Sequence, residues 1–257
     1  MVDDQNREDI NPMDRVLELY SEGGLPSVIA AIYRFIKWRL HRVFPWGRYV
    51  RRFKNAIYAK TDAKRLTGPE SIYNEEYYTK RAEEQRLSDA KQVAKILYNQ
   101  FQPDSVIDFG CAIGHYLVYF HEQGIDVYGV EGNEKALNQA IIPPDCMDQA
   151  DLRDPYEPQG YYDLALCIEV AEHLAEVHAD TLIESLTTAS PTIVFTAAKP
   201  GQDGVYHVNS KPPSYWIDKF SKRGYTYDEE VTHRIKKNLS LASTEEVKEN
   251  IMVFRES

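Results

Sequence analysis

Beyond Pro103 the chain alternates short β-rich runs with helical stretches, and this rhythm limits the possible folds more than any other feature. Ser105–Phe109 is β-rich, Gly114–Gln123 is a helix stopped by Gly124, Asp126–Val130 is a second strand, and Asn133–Ala140 opens a second helix. Asp163–Val170 and Thr192–Thr196 read as buried strands flanking a helix in which Ala175, Ala179, Leu182 and Leu186 share a face. Ser214–Arg223 is a short helix with Ser214 as cap and Gly224 as stop; Tyr225–Asp228 and Asn250–Arg255 are the last strands. Upstream, Leu87, Ala90, Ala94, Leu97 and Phe101 keep one helical face apolar up to Pro103. Such alternation implies an α/β architecture, a mainly parallel sheet with helices on both faces.

Charge divides the chain differently. The formal net charge is −10, yet between Glu22 and Asp62 there are nine basic residues and no acidic one. Within that stretch Ile29, Ile32, Ile36, Leu40 and Val43 recur at helical spacing, with Arg34, Lys37, His41 and Arg42 opposite, and Pro45 ends the pattern. This predicts a basic amphipathic helix that lies on an anionic membrane, grips an anionic substrate, or packs on the acidic body of its own chain. Residues 61–80 read as a polar, tyrosine-rich connector. The expected organisation is therefore an N-terminal helical, basic extension over 1–70 and a main domain over 71–257. An acidic main domain argues against general nucleic-acid binding, DNA included. With no apolar run of 18 residues, no secretory signal and three cysteines outside any CxxC pair, the expected location is cytoplasmic, at the inner membrane face if the basic helix binds lipid.

The first strand runs into Asp108-Phe109-Gly110-Cys111-Ala112-Ile113-Gly114, whose small residues let the backbone turn sharply and approach a ligand. The second strand ends in Glu131, 23 residues after Asp108, where an acid can accept both hydroxyls of a ribose. No G-x-G-x-x-G and no P-loop occurs, so a pyrophosphate ligand is disfavoured. An adenosyl ligand without one suits the pattern.

With these residues in view, the sequence resembles the class I S-adenosylmethionine-dependent methyltransferases over roughly residues 72–256. The resemblance rests on Asp108–Gly114, Val130-Glu131, Asp151-Leu152, Cys167–Leu174 (CIEVAEHL), and Tyr206–Asn209 ahead of Tyr215-Trp216. Ala112 stands where that family usually has glycine. It implies a Rossmann-like, seven-stranded, mostly parallel sheet and S-adenosylmethionine as cofactor. Gly110, Ala112 and Gly114 would then line the methionine part, Asp108 would orient the loop, and Glu131 would hold the ribose. Asp151 would face the adenine with Leu152 beside it, and Glu169 would edge the place where donor and acceptor meet. Arg81 and Tyr77 would reach the cofactor carboxylate.

A hydroxyl acceptor must also lose a proton, which makes His173, in the Glu172-His173 pair, and His207, in the loop GVYHVNS, the candidate bases. His115 is expected either to pack over the cofactor loop or to be solvated. No HxH, HExxH or paired-aspartate pattern occurs, so no metal is expected. The expected activity is O-methylation of a small molecule, sugar or lipid-linked glycan, which would place the enzyme in glycan biosynthesis. An RNA or protein methyltransferase, a non-catalytic binding module on the same fold, and a nicotinamide-dependent oxidoreductase are the alternatives.

Overall fold

The structure is a computed structural model that describes residues 46–65, 68, 72–202 and 204–257. The expected basic helix, Ile29 to Val43, lies outside the described residues. Contacts divide the chain into Met1–Phe53 and Lys54–Ser257, and the fold and site below belong to the second unit.

The elements in chain order are α1 (Trp46–Asp62), α2 (Glu75–Arg81), α3 (Glu84–Phe101), β1 (Ser105–Phe109), α4 (Leu117–Glu122), β2 (Asp126–Glu131), α5 (Glu134–Leu137), β3 (Met147–Gln149), β4 (Leu164–Cys167), α6 (Ala179–Ala189), β5 (Thr192–Phe195), α7 (Pro213–Ser221), β6 (Tyr225–Tyr227), α8 (Glu229–Asn238), α9 (Glu245–Asn250) and β7 (Met252–Glu256). The strands form one sheet in the order β3-β2-β1-β4-β5-β7-β6, with β7 antiparallel to both neighbours and the others parallel where they pair. This is the expected seven-stranded, mostly parallel sheet.

Strand residues alternate between two cores. Val106, Leu164, Leu166, Val194 and Val253 pack with α3, α4 and α8 on one face. Ile107, Phe109, Ala165, Cys167, Ile193, Phe195 and Phe254 pack with α6 and α7 on the other. Burial on both faces explains why these strands read as continuous apolar runs instead of polar–apolar alternation. A smaller cluster joins Tyr73, Tyr78 and Tyr206 to Ile113 of the glycine loop. It brings the tyrosine-rich segment beside the first βα loop.

Three local expectations change. The connector over 61–80 contains the end of α1 and nearly all of α2, whose N-cap is Asn74, accepting from the Tyr77 amide. The strand expected over Asp163–Val170 stops at Cys167, because Glu169 adopts φ +58° and Ala171–His173 follow as a single 3-10 turn. The helix expected at Ser214 starts at Pro213 with Pro212 as its cap, since proline's fixed φ suits a first turn whose amides need no helical partner.

Candidate active site

At the point where β1 separates β2 from β4, both following loops open at the carboxyl ends of the strands, which is where open α/β sheets take ligands. A cavity of about 320 Å³ lies there, lined by Gly110, Ala112, Glu131, Asp151, Leu152, Glu169, His173, Arg81 and the tyrosines Tyr73, Tyr77 and Tyr78, among others.

The cofactor half is held by hydrogen bonds to backbone. Gly110 and Cys111 amides donate to the Val130 carbonyl at 2.7 and 3.2 Å. Gly110 has φ +78°, and a Cβ there would stand 2.5 Å from Val170 Cγ2, so both conformation and space demand glycine. Ala112 holds φ +51°, a left-handed conformation costing roughly 1–2 kcal/mol for a residue with a Cβ. What holds it there is Glu131: Oε2 accepts from the Ala112 amide at 2.9 Å and Oε1 from the Asn133 amide at 2.8 Å. Burial raises the Glu131 pKa and these amide bonds oppose the rise. The acid expected to hold a ribose therefore also clamps the loop, and each oxygen keeps a lone pair for a diol.

Asp108 and Gly114 sit behind this wall and do not line the cavity. Asp108 is buried, its Oδ2 has no hydrogen-bond partner, and burial together with the Glu131 charge pushes its pKa up to about 7. Gly114, at φ +84°, gives room to Ile142, whose Cγ1 would meet a Cβ at 2.8 Å. On the opposite side Asp151 is paired with Arg153, Nε donating to both carboxylate oxygens at 2.9 Å. Arg153 also donates to Asp62 Oδ1 at 3.0 Å. Asp62, wholly buried at the end of α1, further accepts from the Ala175 amide at 2.7 Å and the Tyr206 hydroxyl at 3.1 Å.

The other half of the cavity is built from the loops after β4 and β5. The Glu169 amide donates to Thr196 Oγ1 at 2.7 Å, and that hydroxyl donates back to Glu169 Oε1 at 2.8 Å, fixing the left-handed turn. His173 Nδ1 lies 3.1 Å from the Tyr206 carbonyl and 3.0 Å from the Tyr73 hydroxyl, which donates to the Val205 carbonyl. Burial, then the nearby His207, pushes the His173 pKa down to about 3. Tyr206 has φ +60°, unusual for a bulky residue and a mark of a conformation held by its surroundings. A second cavity of about 300 Å³ shares Tyr73, Tyr77, Arg81, Glu169 and His173 with the first and adds His207 and Gln202.

The structure thus brings together Gly110, Ala112, Glu131, Asp151, Leu152, Glu169, Arg81 and His173 on one cavity, and His207 on its neighbour. His115 does pack at the loop: it is buried in the first cavity's wall, with its pKa pushed down to about 3 by burial and by Arg81 and Arg86. Sequence reading missed Asn133, Arg153 and Tyr73 as wall residues, and missed that Glu172, His173 and His207 cluster. The adjacent Glu172-His173 pair is a local signal; nothing local links it to His207.

Residues 78–196 match the family model described as a methyltransferase domain. No curated protein sequence matches the chain significantly. Among solved structures, the sugar N-methyltransferase KedS8 of a Streptoalloteichus species superposes with a TM-score of 0.56 at 12% identity, over 72% of this chain and 93% of that one. DesVI of Streptomyces venezuelae gives 0.54 at 13%, over 70% and 95%. A TehB-like S-adenosylmethionine-dependent methyltransferase of Corynebacterium glutamicum gives 0.53 at 17%, over 71% and 98%. Identities this low establish the shared fold. The cavity walls fit the family's cofactor in kind: a backbone-lined loop, an acid with spare lone pairs at a strand end, and a volume within the range of small-molecule sites. Residues 78–196 thus carry a methyltransferase domain, and the sheet order and pocket are those of the fold shared with these S-adenosylmethionine-dependent enzymes.

Proposed function

We propose that the enzyme methylates an oxygen of a small polyhydroxylated acceptor, either a sugar or the sugar end of a lipid-linked glycan. The observation supporting this is the second cavity, small, lined by tyrosines and histidines, and continuous with the cofactor cavity through Glu169, His173 and Arg81. About 300 Å³ suits a small molecule. Tyrosine faces with polar hydroxyls suit sugar rings. The fold neighbour KedS8 is also a sugar methyltransferase, though its target atom is nitrogen. Oxygen is favoured here because no Asn-Pro-Pro-Tyr or Asp-Pro-Pro-Tyr motif occurs.

When bound, S-adenosylmethionine supplies a sulfonium methyl that is displaced in line. The chain's own residues supply alignment and exclusion of water. Glu131 takes the ribose hydroxyls, Asp151 and Leu152 meet the adenine, and Arg81 with Tyr77 meets the amino-acid end. His173 stays neutral at pH 7, its low pKa making it a feeble base on its own. The basic segment over 27–60 would bring the enzyme to an anionic membrane at the cytoplasmic face. Its described part, α1, has no acidic residue before Asp62. Loss of liposome binding on deleting residues 1–45 would support that role, and unchanged binding would refute it.

Transfer of labelled methyl from S-adenosylmethionine should be assayed against monosaccharides, uronic acids and lipid-linked glycans, with RNA and protein as competitors. Label in a sugar ether or uronate ester is expected. Label confined to RNA or protein would overturn the reading.

A further inference from the structure

Glu172 has no part in the chemistry described so far. It is wholly buried, and neither carboxylate oxygen has a hydrogen-bond partner among the described residues. A buried carboxylate without a partner costs several kcal/mol unless a cation or a proton meets it. Glu172 lies beside a pair of histidines: one donor atom from each of Glu172, His173 and His207 falls within 4.8 Å of the others.

Both imidazoles are held in the same tautomer. A carbonyl oxygen can only accept, so His173 Nδ1, 3.1 Å from the Tyr206 carbonyl, must carry its proton. Tyr73 agrees with this, since its single hydroxyl proton goes to Val205 O at 3.1 Å. His207 Nδ1 lies 3.3 Å from the Gln202 carbonyl and carries its proton for the same reason. Each ring therefore presents Nε2 as its lone-pair nitrogen. Nδ1–H donation to a backbone carbonyl is how metal-ligating histidines are usually oriented. Space is also reserved for His207: a Cβ on Gly204 would stand 1.8 Å from Nε2, 2.1 Å from Cε1 and 2.2 Å from Cδ2. Near-equal distances put that Cβ over the ring face.

We propose that Glu172, His173 and His207 bind a divalent first-row transition-metal cation beside the acceptor cavity, where it grips the acceptor's hydroxyl oxygen. The ion's role rests on the acceptor reading above; its binding does not. Two imidazoles and one carboxylate suit Mn²⁺, Co²⁺ or Zn²⁺ better than Mg²⁺ or Ca²⁺, which favour oxygen ligands throughout. Three protein ligands leave positions open for an oxygen of the acceptor. A hydroxyl on such an ion would release its proton more readily, to the Glu169 carboxylate that lines the same cavity and from there to water, which removes the need for a strong base at His173.

Full-length protein stripped with chelator should be titrated with Co²⁺ and followed by its visible absorption, alongside calorimetry of S-adenosylhomocysteine. One Co²⁺ per chain is expected. His207→Ala, Glu172→Gln and Gly204→Ala should each weaken Co²⁺ by at least about tenfold while leaving S-adenosylhomocysteine affinity within about twofold. Failure of the wild type to take Co²⁺, or equal binding by wild type and all three variants, would overturn the proposal and leave Glu172 protonated. Co²⁺ binding without methyl transfer to any hydroxyl would support the site while overturning the acceptor reading.

Discussion

The two sides of the pocket treat a buried carboxylate in opposite ways. Asp62 and Glu172 are both wholly buried, but Asp62 accepts from Arg153, the Ala175 amide and the Tyr206 hydroxyl, while Glu172 accepts from nothing described. Beside Asp151 the chain has satisfied its own charge through Arg153 and Asp62. On the Glu169 side the chain has left a buried carboxyl without a hydrogen-bond partner among the described residues, and left-handed backbone at Glu169 and Tyr206 goes with it. The contrast suggests that the first wall evolved to hold shape and the second to hold something.

The contrast can be broken by mutation. Asp62→Ala takes one of its two carboxylate partners from Arg153 and the acceptor from the Ala175 amide and the Tyr206 hydroxyl, and should cost about 3–5 kcal/mol of stability, read by urea denaturation. A cost below about 1 kcal/mol would mean the pairing carries little weight.

A pH series sharpens the comparison within the cofactor half. Asp108 is raised to about 7, so between its unfolded value and 7 the folded state holds a proton that the unfolded state has lost. Its contribution is complete in acid and is lost as pH rises towards 7, a fall of up to about 4 kcal/mol at 1.36 per unit. His115 and His173, held near 3, act in the other direction and lose stability as pH falls below about 6.5. Asp108→Asn should shallow the first slope, the remainder coming from Glu131 and Glu172, whose pKa values burial also raises, and leave the second; an unchanged profile above pH 5 would refute the assignment.

Gly110→Ala pushes a Cβ against Val170 in a left-handed residue and should cost about 2–4 kcal/mol by the same denaturation assay. Glu172→Gln, in chelator-treated protein at neutral pH, should instead stabilise by about 1–2 kcal/mol, because it removes the cost of holding a proton on a buried carboxyl that is ionised in the unfolded chain. Opposite signs for Asp62→Ala and Glu172→Gln are the core of the comparison. Ala112→Gly has the smallest expected effect, a gain under about 1 kcal/mol, since relief of the left-handed strain is partly offset by glycine's chain entropy.

Much of this was legible in the sequence, and the reasons are local. β1, the glycine turn and Glu131 follow one another within 27 residues (Ser105 to Glu131), so apolar runs and small residues reveal them directly. β3 escaped because three residues at a sheet edge carry no periodicity. α8 and α9 escaped because their polar stretches offer few apolar repeats, although Asp228 caps α8 through the Val231 amide. α2 hid among tyrosines whose burial depends on the glycine loop they pack against. The Arg153–Asp62 pair and the Glu172–His207 approach join distant parts of the chain, and only the folded sheet brings them together.

The most direct test is calorimetric titration of S-adenosylmethionine and S-adenosylhomocysteine into wild type and Glu131→Ala. Glu131 clamps the loop and, on the proposed reading, takes the ribose hydroxyls, so the wild type should bind both ligands. The variant should bind at least about 30-fold more weakly, about 2 kcal/mol for lost charge-assisted hydrogen bonds. A wild type that binds neither ligand, or a variant that binds as tightly as the wild type, would contradict the account of this pocket.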